Sequence, residues 1–472
     1  MKRKHNVIFA GLLGISILLC GCANTVMPPK GGSESSKTTS DKIDELVDRL
    51  PEGIGLLGQT LTVLTPEKDK FVYDESAAGT VKNMVKQRAE VLEAAYQMKL
   101  TAKKVKESVI LDTLKEAAQS GTPAGDLLCF SAKTTVKLQE AGLLADLMTL
   151  PYFDIELAAS DKDGIRELTF GNALYLLPDP SALPYEETYA LFYNRDLARA
   201  AGITLPEETV KAGNWTAEAL RACSEAIAYD VMHKSSFDFA TDTFGLGCTD
   251  NTGLLPDLLR TGAGIRLFES RGGTLAFLSD YASLKEQSAG IKALYDSASH
   301  YPKDGTDPRE AFENGRLGFY IEKIPYLFTL FRSCTFDYGI LPLPKQKAAD
   351  AYRSPLSTDA CVFSVPLLRE EPGVAGLGLT GICATGGDAI REAELTTLLT
   401  LYSSDNDQSV MLDLLLRSAS FDFGTVYGSV HSPVYGLGTG LFSEVFAKGA
   451  QFRNEINEKM KAFTKFVSAN FS

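Results

Sequence analysis

The strongest constraint in this sequence is a change of hydrophobic period that recurs along the chain. Gln59-Thr-Leu-Thr-Val-Leu64 alternates apolar and polar residues with the period of two expected of a strand, and Pro66 closes it. From about Thr80 to Met98 the period lengthens: Val81, Val85, Arg88, Leu92 and Tyr96 recur at helical spacing, all but Arg88 apolar. A second helix is expected from about Ser108 to Gln119. Gly125–Phe130, a short apolar run after a Gly-Thr-Pro turn, reads as a buried strand. Thr134–Ala141 reads as helix again. Strands alternating with helices predict an α/β layer structure with a mostly parallel sheet.

A second set of alternating elements follows. Thr188–Tyr193 suits a strand, and helix signals start at Asp196 and at Asn214, the latter carrying Trp215, Ala219, Cys223 and Ile227 as one stripe. Phe312–Ile321 and Phe336–Leu341 are two further short elements. A last helix, from about Ser443 to Val467, carries Phe452, Ile456, Met460, Phe463 and Val467 on one face. The chain is long enough for two domains of ordinary size.

The first residues concern address rather than fold. A basic start, Met1-Lys-Arg-Lys-His5, precedes an apolar run from Val7 to Leu19, shorter than the roughly 20 residues a membrane span needs. This is the layout of a secretory signal peptide. Its end, Leu19-Cys20-Gly21-Cys22, resembles the bacterial lipobox, which implies removal of residues 1–21 and lipidation of Cys22. The alternative is a plain signal peptide with two incidental cysteines. Residues 23–41, rich in Ser, Thr, Gly and Pro, cannot bury enough surface to fold. As a coil they span on the order of 25 Å. With the amphipathic stretch Ile43–Leu50 they make residues 22–55 a tether and lead-in. No other run approaches membrane-spanning length, so the rest is expected outside the cytoplasm, held to the outer face of the membrane by acyl chains.

Composition excludes several classes of function. The formal charge of −13 gives no electrostatic footprint for nucleic acid. It also suits anionic lipid poorly, so attachment would rest on Cys22. Six cysteines follow Cys22, at 129, 223, 248, 334, 361 and 383, with no CxxC spacing, which argues against zinc. Small buried hydrophobes are the favoured reading for them, with disulfides open outside the cytoplasm. There is no HExxH and no GxSxG, and His233, His300 and His431 have no ligand partner at i+4. Gly376-x-Gly-x-x-Gly381 matches a dinucleotide fingerprint by letters but lacks a preceding strand. Asp161-Lys-Asp-Gly164 is a calcium-loop fragment without its other ligands and reads as a turn. No catalytic residue, metal or cofactor is expected.

Several phrases resemble the extracellular solute-binding proteins of sugar-type ABC uptake systems, which have the type II periplasmic-binding-protein fold. These are Leu191-Phe-Tyr-Asn-Arg-Asp-Leu-Ala-Arg-Ala-Ala-Gly-Ile203 followed by Asn214-Trp-Thr-Ala-Glu-Ala-Leu220, Phe312-Glu-Asn-Gly-Arg-Leu-Gly-Phe-Tyr320, and Phe336-Asp-Tyr-Gly-Ile-Leu-Pro-Leu-Pro344. Asp126, ending a Gly-Asp step, and Gly142-Leu-Leu-Ala-Asp-Leu147 add to them. The resemblance covers almost all of residues 57–472, and Phe421-Asp-Phe-Gly424 looks like a clostridia-type branch. Two departures stand out. Gly376–Gly381 falls where the family has a clean helix, and the single tryptophan, Trp215, occupies a structural helix start, so ring stacking on a sugar must come from Tyr or Phe.

The resemblance implies two α/β lobes around a hinge, each a mixed, mostly parallel sheet flanked by helices. Lobe 1 would hold residues 56–180 with a return segment of about 360–405. Lobe 2 would hold 181–359 with a C-terminal segment of about 406–472. The chain would cross near Pro178–Thr188, where Pro178, Pro180 and Pro184 cluster, and again near Ser354–Ser364. It implies a monomer that binds a small solute, a carbohydrate or oligosaccharide above all, and delivers it to permease subunits. Candidate ligand contacts by position are Thr65 and Glu67 after the first strand, Ser131 after the second, Glu187 and Tyr189 at the hinge, Tyr320 and Glu322 on a second-lobe strand, Asp359 at the return crossing, and Tyr427 and His431 in a Gly-rich loop. A polar residue after a strand is also an ordinary turn or cap residue. A surface lipoprotein serving as sensor or adhesion module is the competing function. A carbohydrate-active enzyme, needing two facing carboxyls, is the third.

Overall fold

The computed structural model describes residues 57–428, apart from short gaps at 68–69, 72–79, 159–161, 170–171, 183, 232–237, 239, 251–252, 272–273, 278–280, 298, 300–307 and 403–404, together with Asp48, Asn454, Glu458 and Lys461. The signal peptide, most of the tether and lead-in, and most of the helix expected over Ser443–Val467 lie outside the described residues.

In chain order the strands are β1 (Thr60–Thr65), β2 (Lys99–Lys104), β3 (Leu127–Ser131), β4 (Tyr189–Asn194), β5 (Phe244–Cys248), β6 (Phe268–Arg271), β7 (Thr274–Phe277), β8 (Leu317–Lys323), β9 (Tyr338–Leu341), β10 (Ser354–Pro355), β11 (Cys361–Ser364) and β12 (Ala419–Ser420). Among the described residues they form two four-stranded sheets, β11-β3-β1-β2 and β5-β8-β4-β9, and two two-stranded pairs, β6-β7 and β10-β12. Helices separate most of the strands in sequence; only β6 from β7, and β9, β10 and β11 from one another, have no helix between them. The architecture is α/β with two lobes, as expected.

In the first sheet β1 runs parallel to β2 and β3, and only β11 opposes them. In the second, β5 and β8 are parallel while β4 runs antiparallel to both β8 and β9. The mostly parallel pattern therefore holds in the first lobe, whereas two of the second lobe's three pairings are antiparallel. The cause is common to both sheets: β4 and β11 are the strands by which the chain arrives from the other lobe. β2 escaped the sequence reading because Lys99-Leu-Thr-Ala-Lys-Lys104 is nearly all polar, with only Leu100 buried. It is an edge strand, where lysines block pairing with another chain.

The helix Pro372–Tyr402 is unbroken over 31 residues, although Gly376–Gly381 looks like an interruption in sequence. Here the glycines serve close packing. A Cβ on Gly378 would lie 2.4 Å from Leu61 Cδ2 of β1, and one on Gly381 would lie 2.3 Å from Leu92 Cδ1 of the helix Thr80–Tyr96. Trp215 is fully buried, its indole Nε1–H donating to the Pro342 carbonyl at 3.1 Å. It is a core residue, as its place before a helix suggested.

The phrase Asn194-Arg-Asp196 is also structural. Asn194 Oδ1 caps the next helix by accepting from Leu197 N–H at 3.0 Å. Arg195, 5% exposed, donates to Glu207 at 2.6 Å and to Asp405 at 2.5 Å, and lies 3.4 Å from Asp337. Asp405 in turn caps the helix Asn406–Arg417, so one guanidinium ties the start of β4's following helix to the start of that later helix. Removing one partner of a buried ion pair strands the others. Arg195→Met is expected to lower stability by about 3–5 kcal/mol, read from the urea-unfolding midpoint, while Arg199→Met, on the exposed neighbouring pair, is expected to leave that midpoint nearly unchanged.

Candidate functional site

The directions of β4 and β11 bring one end of each sheet together. The first residue of β4, Tyr189, lies opposite the last residue of β8, Lys323. The first residue of β11, Cys361, lies opposite the last residue of β3, Ser131. The carboxyl ends of β1, β3, β5 and β8 therefore open on the same zone as the crossing segments. In open α/β sheets ligands bind outside the carboxyl ends of the strands.

The crossings are laced together by backbone pairing. Thr188 bridges Leu356, Ser357 N–H donates to the Glu187 carbonyl at 2.9 Å, and β10 pairs with β12. On this floor a row of alternating charges runs from one lobe to the other. Lys133, in the helix after β3, contacts Asp359 at the return crossing. Lys323 at the end of β8 lies 3.8 Å from Asp359 and 2.5 Å from Glu187 at the first crossing. The Asp359 carboxylate, hydrogen-bonded to Lys133, holds that ammonium above its ordinary value. The Lys323 ammonium also stands 5.9 Å from the ring centroid of Tyr189.

Of the ten candidates, Glu187, Tyr189, Glu322 and Asp359 meet at this floor. Glu322 is 17% exposed and pairs with Arg309 at 2.7 Å. Tyr320 lies next to it on the same strand face but is fully buried; its hydroxyl bonds Thr249 Oγ1 at 2.7 Å and its ring stacks on Phe312 at 5.7 Å. It offers no surface.

Thr65 and Ser131 are turn and cap residues at their strand ends. Thr65 is fully buried, and its Oγ1 accepts from Glu67 N–H at 3.2 Å. Ser131 Oγ accepts from Thr134 N–H at 3.3 Å, capping the helix Ala132–Glu140. Glu107 holds Ser131 from the other side, accepting from its N–H at 3.0 Å and from its hydroxyl at 2.9 Å. Glu67 is exposed and 3.8 Å from Lys70, whose Nζ is 3.8 Å from Cys361 Sγ at the start of β11.

Tyr427 departs from expectation. It lies in a short helix, Phe423–Gly428, and not in a loop; it is 3% exposed and stacks on Phe423 at 4.5 Å. Apolar packing of the Phe-Asp-Phe-Gly segment explains this, and burial pushes the phenol hydroxyl well above its ordinary value. His431 lies outside the described residues.

Sequence reasoning missed Lys70, Glu107, Lys133, Thr249, Arg309 and Lys323. Lys133 and Lys323 sit within two residues of positions it did select, so proximity to a strand end was the available signal. Glu107 follows β2, the strand that went unseen. Two exposed aromatic residues, Phe328 and Phe331, stand on the helix Tyr326–Ser333, which follows the site end of β8. Among the described residues no group of His, Cys, Asp or Glu is arranged to hold a metal ion, and no helix is long and apolar enough to cross a membrane.

A family model described as bacterial extracellular solute-binding protein matches residues 87–361, more than half of the chain. No curated protein sequence matches the chain. Solved structures share its fold at low identity. A sugar transporter protein from Rhizobium etli, in an open conformation, is 15% identical with a TM-score of 0.54, the match covering 87% of this chain and 99% of that one. The cyclic alpha-maltosyl-1,6-maltose binding protein from Arthrobacter globiformis is 14% identical, with a TM-score of 0.54 and coverage of 87% and 99%. The maltose-binding periplasmic protein MalE from Listeria monocytogenes, in complex with maltose, is 15% identical, with a TM-score of 0.51 and coverage of 88% and 99%.

A cap and a ligand contact respond differently to mutation. Ser131→Ala removes a helix cap and the hydroxyl that Glu107 accepts from, so it is expected to cost about 1–2 kcal/mol of stability in urea unfolding. Glu187→Gln, on a partly exposed ion pair, is expected to change stability by about 1 kcal/mol or less.

Proposed function

The chain belongs to the bacterial extracellular solute-binding proteins, and we propose that it captures a carbohydrate between its lobes and presents it to the permease subunits of an ABC transporter. The row of alternating charges on the cleft floor carries this reading. A sugar hydroxyl both donates and accepts, and the floor supplies acceptors at Glu187 and Asp359 beside donors at Lys133 and Lys323. The charges balance locally, which suits a neutral polyol better than an ion. The maltose and cyclic maltosyl-maltose named for the structural relatives support the same class.

We read the lobes as residues 56–180 with 360–405, and 181–359 with 406–472. Glu187, Tyr189, Glu322 and Asp359 are the ligand contacts favoured by geometry, joined by Lys133 and Lys323. Ligand would stabilise the arrangement in which both lobes reach it, by no more than its difference in affinity between the two states. Attachment to the membrane is assigned to lipid on Cys22, with the tether lifting a monomeric receptor clear of the headgroups.

Two experiments test the reading. The secreted Cys22→Ser chain is titrated by calorimetry with maltose, maltotetraose, cyclodextrin, amino acids and short peptides. Saturable heat from an oligosaccharide, lost on Glu187→Gln or Lys323→Met with the fold intact, is expected. A native protein that responds to none of the sugars would turn the assignment toward a sensor or adhesion role. In the producing cell, labelled palmitate is expected in the native chain and absent from Cys22→Ser, which is released into the medium.

A further inference from the structure

A second set of charges lies between the lobes, apart from the cleft floor. Glu167 belongs to the helix Lys162–Leu168, whose Ile165 packs into the first lobe's core with Leu61 and Val63 of β1. Its side chain is 5% exposed, and its carboxylate contacts Arg266 and lies 3.6 Å from Arg353. Both arginines come from the second lobe's side: Arg266 follows the helix Leu254–Gly262, and Arg353 directly precedes β10. Behind them Arg260, fully buried, is bidentate to Asp422 at 2.9 and 3.2 Å and 3.8 Å from Asp257. Arg166, on Glu167's own helix, is exposed and paired with Asp163 at 2.7 Å.

We propose that this contact links docking of the lobes to protons, so that acidification favours the docked arrangement. An ionisable group that loses its water in only one of two conformations makes their equilibrium depend on pH. Glu167 is such a group, because separating the lobes returns its carboxyl to solvent. In the docked state burial disfavours its charge most, Asp422 adds to that, and Arg266, Arg353 and Arg166 oppose it; the balance pushes the carboxyl up to about 7 from an ordinary 4.5. The docked value lies above the open one, so docking takes up a proton. Its contribution is complete below 4.5 and is lost as pH rises through 7. Between pH 7.5 and 5.5 the docked-to-open ratio should rise by roughly tenfold or more.

The inference rests on the two-lobed fold and not on the identity of the solute, so ligand-free protein tests it alone. The radius of gyration of the secreted Cys22→Ser chain is measured by small-angle scattering from pH 7.5 to 5.5. The parent is expected to contract on acidification, and Glu167→Gln to stay contracted throughout. Glu394, also pushed up to about 7 by burial and by Glu186, keeps its surroundings in both chains, so the difference between the profiles isolates Glu167. Arg266→Met keeps the carboxyl and removes a cation, and should move the midpoint of contraction to higher pH. A parent profile flat across this range, a Glu167→Gln profile that follows the parent's, or an Arg266→Met midpoint that stays in place would each overturn the proposal.

Discussion

The direction in which the chain enters each sheet governs the rest of this molecule. β4 and β11 arrive from the opposite lobe and run against their neighbours, Tyr189 facing Lys323 and Cys361 facing Ser131. Each entering strand must begin where its lobe meets the other. The strands it pairs with must therefore end there, and so must the turns and helix starts that follow them. Polar groups collect at such ends because a strand that stops leaves backbone groups to satisfy. The site is thus a consequence of topology before it is a matter of particular side chains.

Among the described residues, three buried arginines hold distant segments of the chain to one another. Arg88 donates to the Ser181 carbonyl at 3.0 Å in the first crossing and stands 5.1 Å over Phe71. Arg195 ties Asp405 to the second lobe, and Arg260 grips Asp422 in the segment that follows β12. A buried guanidinium costs more in lost hydration than a packed apolar side chain, so these are weak contributors to stability as such. What they add is registry: each has several donors in a fixed fork, and only one placement of the crossing satisfies them. A two-lobed protein needs that property at its joints, where apolar packing alone would let segments slide.

Much of the fold was legible because the period changes are strong. The strands Thr60–Thr65, Leu127–Ser131 and Tyr189–Asn194 stand close to where alternation and apolar runs place them. β2 was hidden by its lysines, and the helix Pro372–Tyr402 was obscured by glycines that exist to let it approach β1. Arg88 sits at a core-facing position of an otherwise apolar stripe, and its occupation by a charge was a signal of buried pairing that periodicity alone could not interpret. At the site, strand ends were correctly located but the residues chosen there divide by burial. Thr65, Ser131, Tyr320 and Tyr427 are used by the fold, while Glu187, Tyr189, Glu322 and Asp359 stand at the floor. Sequence carries no measure of that division, since an end-of-strand Ser can cap a helix or face a ligand with the same neighbours.

The floor itself shows why single candidates were hard to rank. Glu187 and Asp359 come from different crossings, and it is Lys323 that stands between them and joins them. Lys133 extends the row into the first lobe through Asp359. The charged row is therefore a sequence-distant set whose members have opposite signs and partly exposed side chains, and its worth as a structural bridge is small in water. On the proposed reading, partial exposure at the meeting line of two lobes would let such charges exchange protein partners for ligand hydroxyls at little net cost. A fully buried pair such as Arg195 with Glu207 has no solvent-facing side from which to make such an exchange, so its charges serve the fold.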